Sequence, residues 1–520
     1  MSKLLGYGWL IENYRLPMVQ APRVRSQVGT RRHTTLQHHG HIVETYLPAA
    51  RPAGLRGHLT FALKHEGVEL ELLSRLFSRL APNELIDWIT AEPLGEYARR
   101  ACFLYEWITG QSLAYPGLAT GNYVDAIDPE RYLTCNKPEN DRRWRVRNNL
   151  PGVPQYCPMV YRSDRVKLAE QFDCAAELAE LTEEFGADLL MRGAVWMTLK
   201  ESRSSFAIEH EQDQKDRIQR FAAVMADRCG QVDNPLDPDS LARLQSEILG
   251  AAAIRFGLRR SPVFVGSVVR HTPVVHYIAP QASDLTELLA GLATFAHRTH
   301  GRSPVVRAAV LSFGFVYLHP LADGNGRISR FLVNDFLRRD QAVPAPLILP
   351  ISATIADSAA ARAGYDAVLE QFSRPFMSRY AGAYRFGDQI MYDDGVLSDM
   401  EFDAYQDGLH SWRFPDLTGH VEYLADVIEA TVRVEMRGEA DYLRRHDAAR
   451  AAIKELVEMP DTNLDRIIQS LVQNDYRISG KLVKTFPLIS DRDGLWSEIG
   501  EAVRAAMADD ADTPSDPIGQ

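Results

Sequence analysis

The sequence predicts a mainly α-helical protein with one small β-hairpin. Apolar residues recur at helical spacing in Val68–Leu80 and in Glu96–Thr109, and Gly110 follows where a helix C-cap is expected. Pro262–Pro280 departs from this pattern. Its residues are β-branched on both sides of the turn-forming residues 271–273, which predicts the hairpin.

The elements along the chain indicate three ordered regions and a tail. Residues 1–180 predict a mostly helical region of unknown role, and residues 181–390 a helical core that contains the hairpin. In residues 391–507 two helical segments precede a short extended piece, an order that fits a winged-helix-like domain. Residues 508–520 are polar and acidic, and we expect them to be disordered.

Within the core, three consecutive helices have recognisable ends. Asp284, followed three residues later by Glu287, predicts a capping box at the start of the first helix. Pro304 suits the first position of the second helix, which we expect to end near His319. The third helix is predicted to begin near Gly326.

Composition limits the classes of function. The 520 residues are 45% hydrophobic and 24% charged, as in soluble globular proteins, and the formal net charge of -11 argues against a protein that coats nucleic acid. The five cysteines form no Cys-x-x-Cys pair, which favours a reducing compartment. We found no signal-peptide core and no apolar run that could span a bilayer, so we expect a cytoplasmic protein without membrane contact.

One stretch, YLHPLADGNGRISRFL (Tyr317–Leu332), concentrates chemically active residues between apolar flanks. One helix should end at His319, and the next should begin at the Gly-Asn-Gly turn (residues 324–326). A helix N-terminus offers unpaired N–H groups and a positive dipole end, and glycines let a ligand approach the backbone. This turn therefore predicts an anion site suited to phosphate.

Charged side chains around this turn complete a set for phosphoryl or nucleotidyl transfer. Arg327 and Arg330 share one side of the helix and suit further phosphate oxygens. Asp323 is placed to hold Mg²⁺ against those oxygens, and His319 is left to act as a base. Positioning, charge neutralisation and one proton acceptor are what such a transfer needs.

The stretch resembles the signature of Fic-domain proteins, H-x-F-x-[DE]-G-N-G-R-x-x-R. One position departs from the signature, because Leu321 stands where the family usually has Phe. The resemblance covers about residues 180–385 and implies a helical Fic core with the hairpin as a flap. The matching residues are His319, Asp323, Gly324, Asn325, Gly326, Arg327 and Arg330.

Most characterised relatives in this family transfer AMP from ATP to a Ser, Thr or Tyr hydroxyl of a protein. By that resemblance, His319 deprotonates the target hydroxyl and Asp323 holds Mg²⁺ between the α- and β-phosphates. The backbone of the Gly-Asn-Gly turn and Asn325 bind phosphates, and Arg327 and Arg330 bind the outer ones. ATP and Mg²⁺ are the implied substrate and cofactor.

The resemblance also gives the hairpin a role. In the family, a flap beside the active site pairs with an extended segment of the protein substrate by β-augmentation. We predict that residues 263–278 form this flap and that His276 and Tyr277 contact the target. The alternative is a hairpin that only covers the core.

A second motif predicts autoinhibition. Ser205 and Glu209 match the family's inhibitory motif, [ST]-x-x-x-E-[GN], whereas His210 replaces the usual Gly or Asn. The resemblance implies an inhibitory helix near residues 204–215 whose Glu209 pairs with Arg330 and blocks productive ATP binding. The alternative is a helix start without an inhibitory role, in which Ser205 caps the helix and Glu209 suits its dipole.

Three other functions remain open at the level of sequence. The same scaffold could transfer another nucleotide-derived group, or remove AMP with Glu209 positioning a water. A function of a different class is that of a regulator whose winged helix binds DNA. The sequence also leaves open whether the protein forms a homo-oligomer. The candidate DNA-binding residues are Arg444, Arg445, Arg450, Lys454, Lys481 and Lys484.

Overall fold

The computed structural model describes residues 3–37, 40–211, 213–250, 257–270, 272–490, 492 and 494–508. The chain divides into two compact units. Unit 1 consists of residues 1–175 and 198–429, and unit 2 of residues 176–197 and 430–520. Residues 509–520 of the predicted disordered tail lie outside the described part.

Helices dominate both units, which confirms the predicted fold class. From the N-terminus to the hairpin they are α1 (Gly6–Tyr14), α2 (Gly54–Phe61), α3 (Leu70–Phe77), α4 (Pro82–Ala91), α5 (Glu96–Thr109), α6 (Asp164–Gln171), α7 (Cys174–Phe185), α8 (Ala187–Ile208), α9 (Lys215–Arg228) and α10 (Pro238–Leu249).

After the hairpin the helices continue to the end of the described chain. They are α11 (Leu285–Arg298), α12 (Pro304–Leu318), α13 (Asn325–Arg339), α14 (Ile351–Ala356), α15 (Ala359–Tyr380), α16 (Tyr405–Arg413), α17 (Thr418–Ala430), α18 (Arg437–Leu456), α19 (Asp461–Gln473), α20 (Gly480–Thr485), α21 (Pro487–Ser490) and α22 (Leu495–Met507).

In the part of the chain that the structure describes, the strands form four small sheets. Two have three strands, ordered β1-β3-β2 and β4-β6-β5, and two are antiparallel hairpins, β7-β8 and β9-β10. The strands are β1 (Val24–Val28), β2 (His33–Leu36), β3 (Ile42–Tyr46), β4 (Val124–Asp125), β5 (Glu139–Asp141), β6 (Val146–Asn148), β7 (Phe264–Val269), β8 (Thr272–Ile278), β9 (Tyr384–Met391) and β10 (Leu397–Phe402).

The β7–β8 hairpin confirms the strand pair predicted from the β-branched segment. Its register runs from Phe264 opposite Ile278 to Val269 opposite Thr272. We call residues 263–278 the flap hairpin.

Helix α12 lies at the centre of the core of unit 1, because it is apolar on nearly all sides. Its buried residues run from Val305 to Leu318, with Val316 as the only partly exposed position in that range. Pro304 opens the helix and Ser303 caps it by accepting a hydrogen bond from the Val306 N–H. The predicted start and end of this helix are therefore confirmed.

The predicted capping box at α11 is wrong. A 3₁₀ turn (Ala282–Asp284) precedes the helix, so Asp284 has helical backbone angles and its carboxylate caps no N–H group. An N-cap side chain reaches the first turn from an extended backbone, which this turn removes.

Residues 1–175 pack into the same unit as the core, whereas the sequence suggested a boundary at residue 180. A buried guanidinium joins them: Arg75 of α3 donates hydrogen bonds to Asp407 and Ser411 of α16. Sequence periodicity reports which face of a helix is apolar but not which distant helix covers it.

Unit 2 ends in a cluster of helices around Ile453, Leu464, Ile468, Leu471 and Val503. The predicted winged-helix wing is wrong, because no strand occurs in the described residues from 430 onward. The segment expected to be extended is α20 and α21 instead. Ser479 caps α20 by accepting a hydrogen bond from the Leu482 N–H.

Four of the six basic residues proposed for DNA binding already pair with carboxylates of unit 2. These internal pairs lower the positive charge that a phosphate backbone would meet. The pairs are Arg444 and Arg445 with Asp441, Arg450 with Asp465, and Lys454 with Asp461.

A search of the described residues for a membrane-crossing helix finds no segment of sufficient length and apolarity.

Candidate active site

The loop between α12 and α13 is held in place by its own side chains. His319 ends α12 in the left-handed region (φ 46°), and Pro320 follows. The Asn325 amide accepts a hydrogen bond from the Leu321 N–H (3.0 Å) and donates one to the Leu321 C=O (2.8 Å). The side chain of Asn325 therefore closes the loop, whereas the sequence predicted that it binds phosphate.

The loop is also held in place by a buried side chain and by a residue of α10. Leu321 is fully buried, so it fills the anchoring position that the family gives to Phe. Gln245 of α10 donates a hydrogen bond to the Asp323 C=O (2.8 Å) and accepts one from the Gly257 N–H (2.9 Å). Nothing in the sequence around Gln245 distinguished it from any other polar helix residue.

The carboxylate of Glu209 lies at the N-terminus of α13. A Cβ atom at Gly326 would lie 2.1 Å from Glu209 Oε1, so only glycine allows the carboxylate to approach the helix so closely. Gly324 precedes the helix with φ 89°, a conformation that favours glycine. Glu209 thus occupies the position that the sequence predicted for an anion.

Arg330 binds the two predicted inhibitory residues at once. Its Nη2 donates to Glu209 Oε1 (2.7 Å) and to the Ser205 C=O (3.1 Å), and its Nε donates to Ser205 Oγ (2.7 Å). The Arg330 side chain is 4% exposed and that of Glu209 is 35% exposed, so water reaches the carboxylate from one side.

The charge of Arg330 affects the pKa of the Glu209 carboxyl group. Burial alone would raise the pKa of this carboxyl, but the neighbouring Arg330 lowers the pKa below its usual range. The carboxylate is therefore ionised at neutral pH.

A second carboxylate, which the sequence analysis missed, holds Arg327. Arg327 donates to Glu211 Oε2 and to Asp323 Oδ1, both at 2.6 Å, and its guanidinium lies over the Phe206 ring at 5.1 Å. Glu211 also pairs with Arg217 (3.4 Å). In the sequence, the only feature that could have indicated Glu211 was its position two residues after Glu209.

The chain segment that carries Glu209 is a helix end, which corrects the predicted inhibitory helix at 204–215. Helix α8 ends at Ile208, and a turn leads to α9 at Lys215. His210 is left-handed (φ 59°). The N–H groups of His210 and Glu211 donate to the carbonyls of Ala207 and Phe206, the two bonds of a Schellman motif.

This motif explains the family preference at the position of His210. The residue after the helix C-cap takes left-handed angles, for which Gly and Asn have the lowest cost. A histidine there keeps the geometry, because Glu209 still reaches Arg330, but at a cost in backbone strain. The alternative that Ser205 and Glu209 mark a helix start is wrong, since both residues lie at the end of α8.

His319 lies half-buried at the end of α12, with its imidazole oriented by one hydrogen bond. A carbonyl oxygen can only accept, so Nδ1 donates to the Val316 C=O (3.3 Å) and Nε2 keeps its lone pair. Burial, and then the nearby Arg259, lower the pKa of His319 to about 4. The imidazole is therefore neutral at pH 7, the state that a base requires.

The flap hairpin brings only one of its two predicted contact residues to the surface. His276 is exposed and interacts with Ser267 Oγ through Nε2 (3.0 Å). Tyr277 lies in the core, where its hydroxyl donates to the Tyr317 C=O (2.5 Å) and accepts from Trp412 Nε1 (3.0 Å). Successive strand residues point to opposite faces, so these neighbours cannot both meet a target.

One region of the chain is similar to a known protein family. Residues 235–337 match the model of the Fic/DOC family. The Fic-like part is thus about a fifth of the chain. The matched range contains the whole loop from His319 to Arg330, whereas Ser205 and Glu209 precede it.

Curated relatives of the Fic domain carry the name protein adenylyltransferase. The chain is 34% identical over 116 residues to "Protein adenylyltransferase fic-1" of Caenorhabditis briggsae, which covers 22% of this chain and 21% of that protein. It is 37% identical over 94 residues to "Protein adenylyltransferase Fic" of Drosophila virilis, covering 18% and 17%. The chain therefore matches about a fifth of the length of these relatives.

Among solved structures, a Fic family protein from Desulfovibrio desulfuricans G20 is similar with a TM-score of 0.33 and 18% sequence identity. The similarity covers 54% of this chain and 78% of that one.

The strain at His210 gives a test of the helix end. His210→Val should lower the free energy of unfolding by about 1–2 kcal/mol, because a β-branched residue tolerates left-handed angles poorly. His210→Gly should leave it unchanged or raise it, since glycine removes the strain. Thermal and denaturant unfolding of the three proteins measure this difference.

The exposed Asp213, in the same turn but without left-handed angles, provides the control substitution Asp213→Val. Equal stability of the His210→Val and Asp213→Val proteins would contradict the assigned Schellman motif.

Proposed function

We propose that the Fic domain transfers AMP from ATP to a hydroxyl group of a protein and that Glu209 inhibits this transfer. The observation that carries the proposal is the contact of Glu209 with Arg330 at the N-terminus of α13. A carboxylate there has the charge and hydrogen-bonding capacity of a phosphate group, so the same donors suit ATP.

Two unused donors support phosphate binding. Arg327 Nε and Arg330 Nη1 are buried, and within the described residues neither has a hydrogen-bond partner. Buried donors are nearly always satisfied in native proteins. A triphosphate that displaces Glu209 would supply acceptors for these groups.

His319 would act as the base in this reaction. Its free Nε2 takes the proton of the target hydroxyl while that oxygen attacks the α-phosphorus of ATP. The bond between the α-phosphorus and the bridging oxygen breaks, and pyrophosphate leaves with the electron pair. The neutral imidazole is the reactive form.

Asp323 fits the role of a magnesium ligand. Its side chain is 50% exposed, and Arg327 bonds only one of its oxygens. No cluster of three metal-ligating side chains occurs in the described residues, which suits an ion bound by one carboxylate and substrate phosphates. When bound, Mg²⁺ neutralises charge on the phosphates.

The protein substrate would dock on the flap hairpin. Val265 and Val274, on opposite strands, are 41% and 39% exposed, and His276 is exposed beside them. Exposed apolar side chains on a two-stranded sheet suit an extended segment that adds by β-augmentation. Tyr277 is left out of this proposal because it is buried.

Removal of the inhibitory carboxylate gives the first functional prediction. Glu209→Gly should raise AMP transfer at least about tenfold, because a tethered carboxylate competes at high effective concentration for Arg330. Intact-mass spectrometry after incubation with each nucleoside triphosphate and Mg²⁺ measures self-modification. The mass added identifies AMP or another nucleotide-derived group.

Glu211→Gln is the matched control, since it removes a carboxylate that pairs with Arg327 instead. It should raise transfer less than Glu209→Gly does. Addition of Arg330→Ala should abolish the gain. Equal rates in wild type and Glu209→Gly would show that Glu209 does not inhibit.

The pKa of His319 gives a prediction for pH. A histidine with a pKa of about 4 stays neutral down to pH 5. Transfer by Glu209→Gly should therefore change less than about twofold between pH 7.5 and 6, where an ordinary histidine would gain a proton. His319→Ala should reduce transfer at least ~100-fold at every pH, with ATP binding retained.

Initial rates in a constant-ionic-strength buffer series measure this profile. A fall in rate centred near pH 6.5 that disappears in His319→Ala would contradict the assigned protonation state.

A further inference from the structure

Arg259 lies immediately before the flap hairpin and is 2% exposed. Its guanidinium donates three hydrogen bonds, each to a carbonyl. Nε donates to His319 (2.8 Å), Nη1 to Ser261 (3.0 Å) and Nη2 to Pro280 (2.6 Å). The Arg259 N–H adds a bond to the Pro320 C=O (2.9 Å).

These bonds join three parts of the active site. Ser261 precedes β7 and Pro280 follows β8, so two donors hold both ends of the flap hairpin. The third donor satisfies a carbonyl at the C-terminus of α12, where helical partners are missing. A planar guanidinium with fixed donor directions can hold all three carbonyls at once, whereas a lysine ammonium is a single flexible point.

The positive charge of Arg259 lacks a counter-ion within the described residues, where no carboxylate forms an ion pair with it. The nearby Asp394 accepts hydrogen bonds from the N–H groups of Arg260 and Ser261 instead. Burial lowers the pKa of Arg259 to about 10, so the group is still charged at neutral pH.

Around His319, three charged groups act on the imidazole. Glu209 and Asp323 favour the protonated ring, and Arg259 opposes it.

We propose that Arg259 is a positioning residue for His319, which fixes the end of α12 to both ends of the flap hairpin and places a buried positive charge near the imidazole. Its role in catalysis rests on the proposed function, in which His319 is the base. A substrate docked on the flap is thereby held in register with that base.

The test compares Arg259→Gln, Arg259→Lys and Arg260→Gln in the Glu209→Gly protein. Arg260 is the matched control, because it is the adjacent arginine but is exposed. NMR of ¹³C-labelled histidine follows the imidazole of His319 through a pH titration, with His319→Ala for assignment. The rate of AMP transfer is measured over the same pH range.

We expect Arg259→Gln to raise the pKa of the His319 imidazole by at least about one unit, a tenfold change in proton affinity. The acid limb of the transfer profile should move to higher pH by the same amount. Arg259→Lys should keep the titration but lower kcat, with KM for ATP unchanged. Arg260→Gln should change neither.

An unchanged titration in a folded Arg259→Gln protein would overturn the proposal, as would an equal effect of Arg260→Gln. If Arg259→Gln does not fold, Arg259→Lys decides: a lower kcat supports the positioning role, and full activity overturns it. The NMR arm needs no transfer. If the Glu209→Gly parent transfers no AMP, the proposed function is rejected. The NMR titration of His319 then still tests the role of Arg259.

Discussion

The ion pair between Glu209 and Arg330 is the interaction on which the organisation of the site depends. It places a carboxylate at the N-terminus of α13, against the Cα atom of Gly326, where we propose that a phosphate of ATP binds. A carboxylate and a phosphate cannot both fill the space beside Gly326 and accept from Arg330 Nη2. Under the proposed function, the same donors serve inhibition in one state and nucleotide binding in the other.

Several features of the chain bring Glu209 to this place. The Schellman motif at the end of α8 directs the carboxylate toward Arg330, and the buried Ser205 holds the guanidinium from the other side. Glu211 extends the contact to Arg327, which also binds Asp323. The segment thus neutralises both arginines of the motif and, through Arg327, restrains the proposed magnesium ligand.

Local sequence signals were sufficient to predict part of the candidate site. Pro304, His319 with Pro320, and the Gly-Asn-Gly turn act through backbone angles that a residue imposes on itself, so the limits of α12 and α13 followed from the sequence. The Ser205 and Glu209 pattern predicted a contact with Arg330 because the family resemblance supplied the distant partner, which spacing alone does not give.

Other features depend on contacts between residues far apart in the chain. Glu211, Gln245 and Arg259 look like ordinary polar residues until the fold brings them to the loop. Tyr277 was misjudged because the strand pattern does not say which face meets the core, and the packing of Trp412 decides it. The segment of α20 and α21 was predicted to be extended and is helical, because the pattern of so few residues does not separate a short helix from a short strand.

The central claim is that Glu209 takes the place of a phosphate group on Arg330. Crystal structures of the wild type and of Glu209→Gly, each with a non-hydrolysable ATP analogue and Mg²⁺, test it most directly. In the variant, a phosphate oxygen should lie about 2.7–3.2 Å from the Arg330 guanidinium. In the wild type, Glu209 should retain this contact and displace the phosphates. Identical phosphate positions in both proteins, with the ion pair intact in the wild type, would contradict the account.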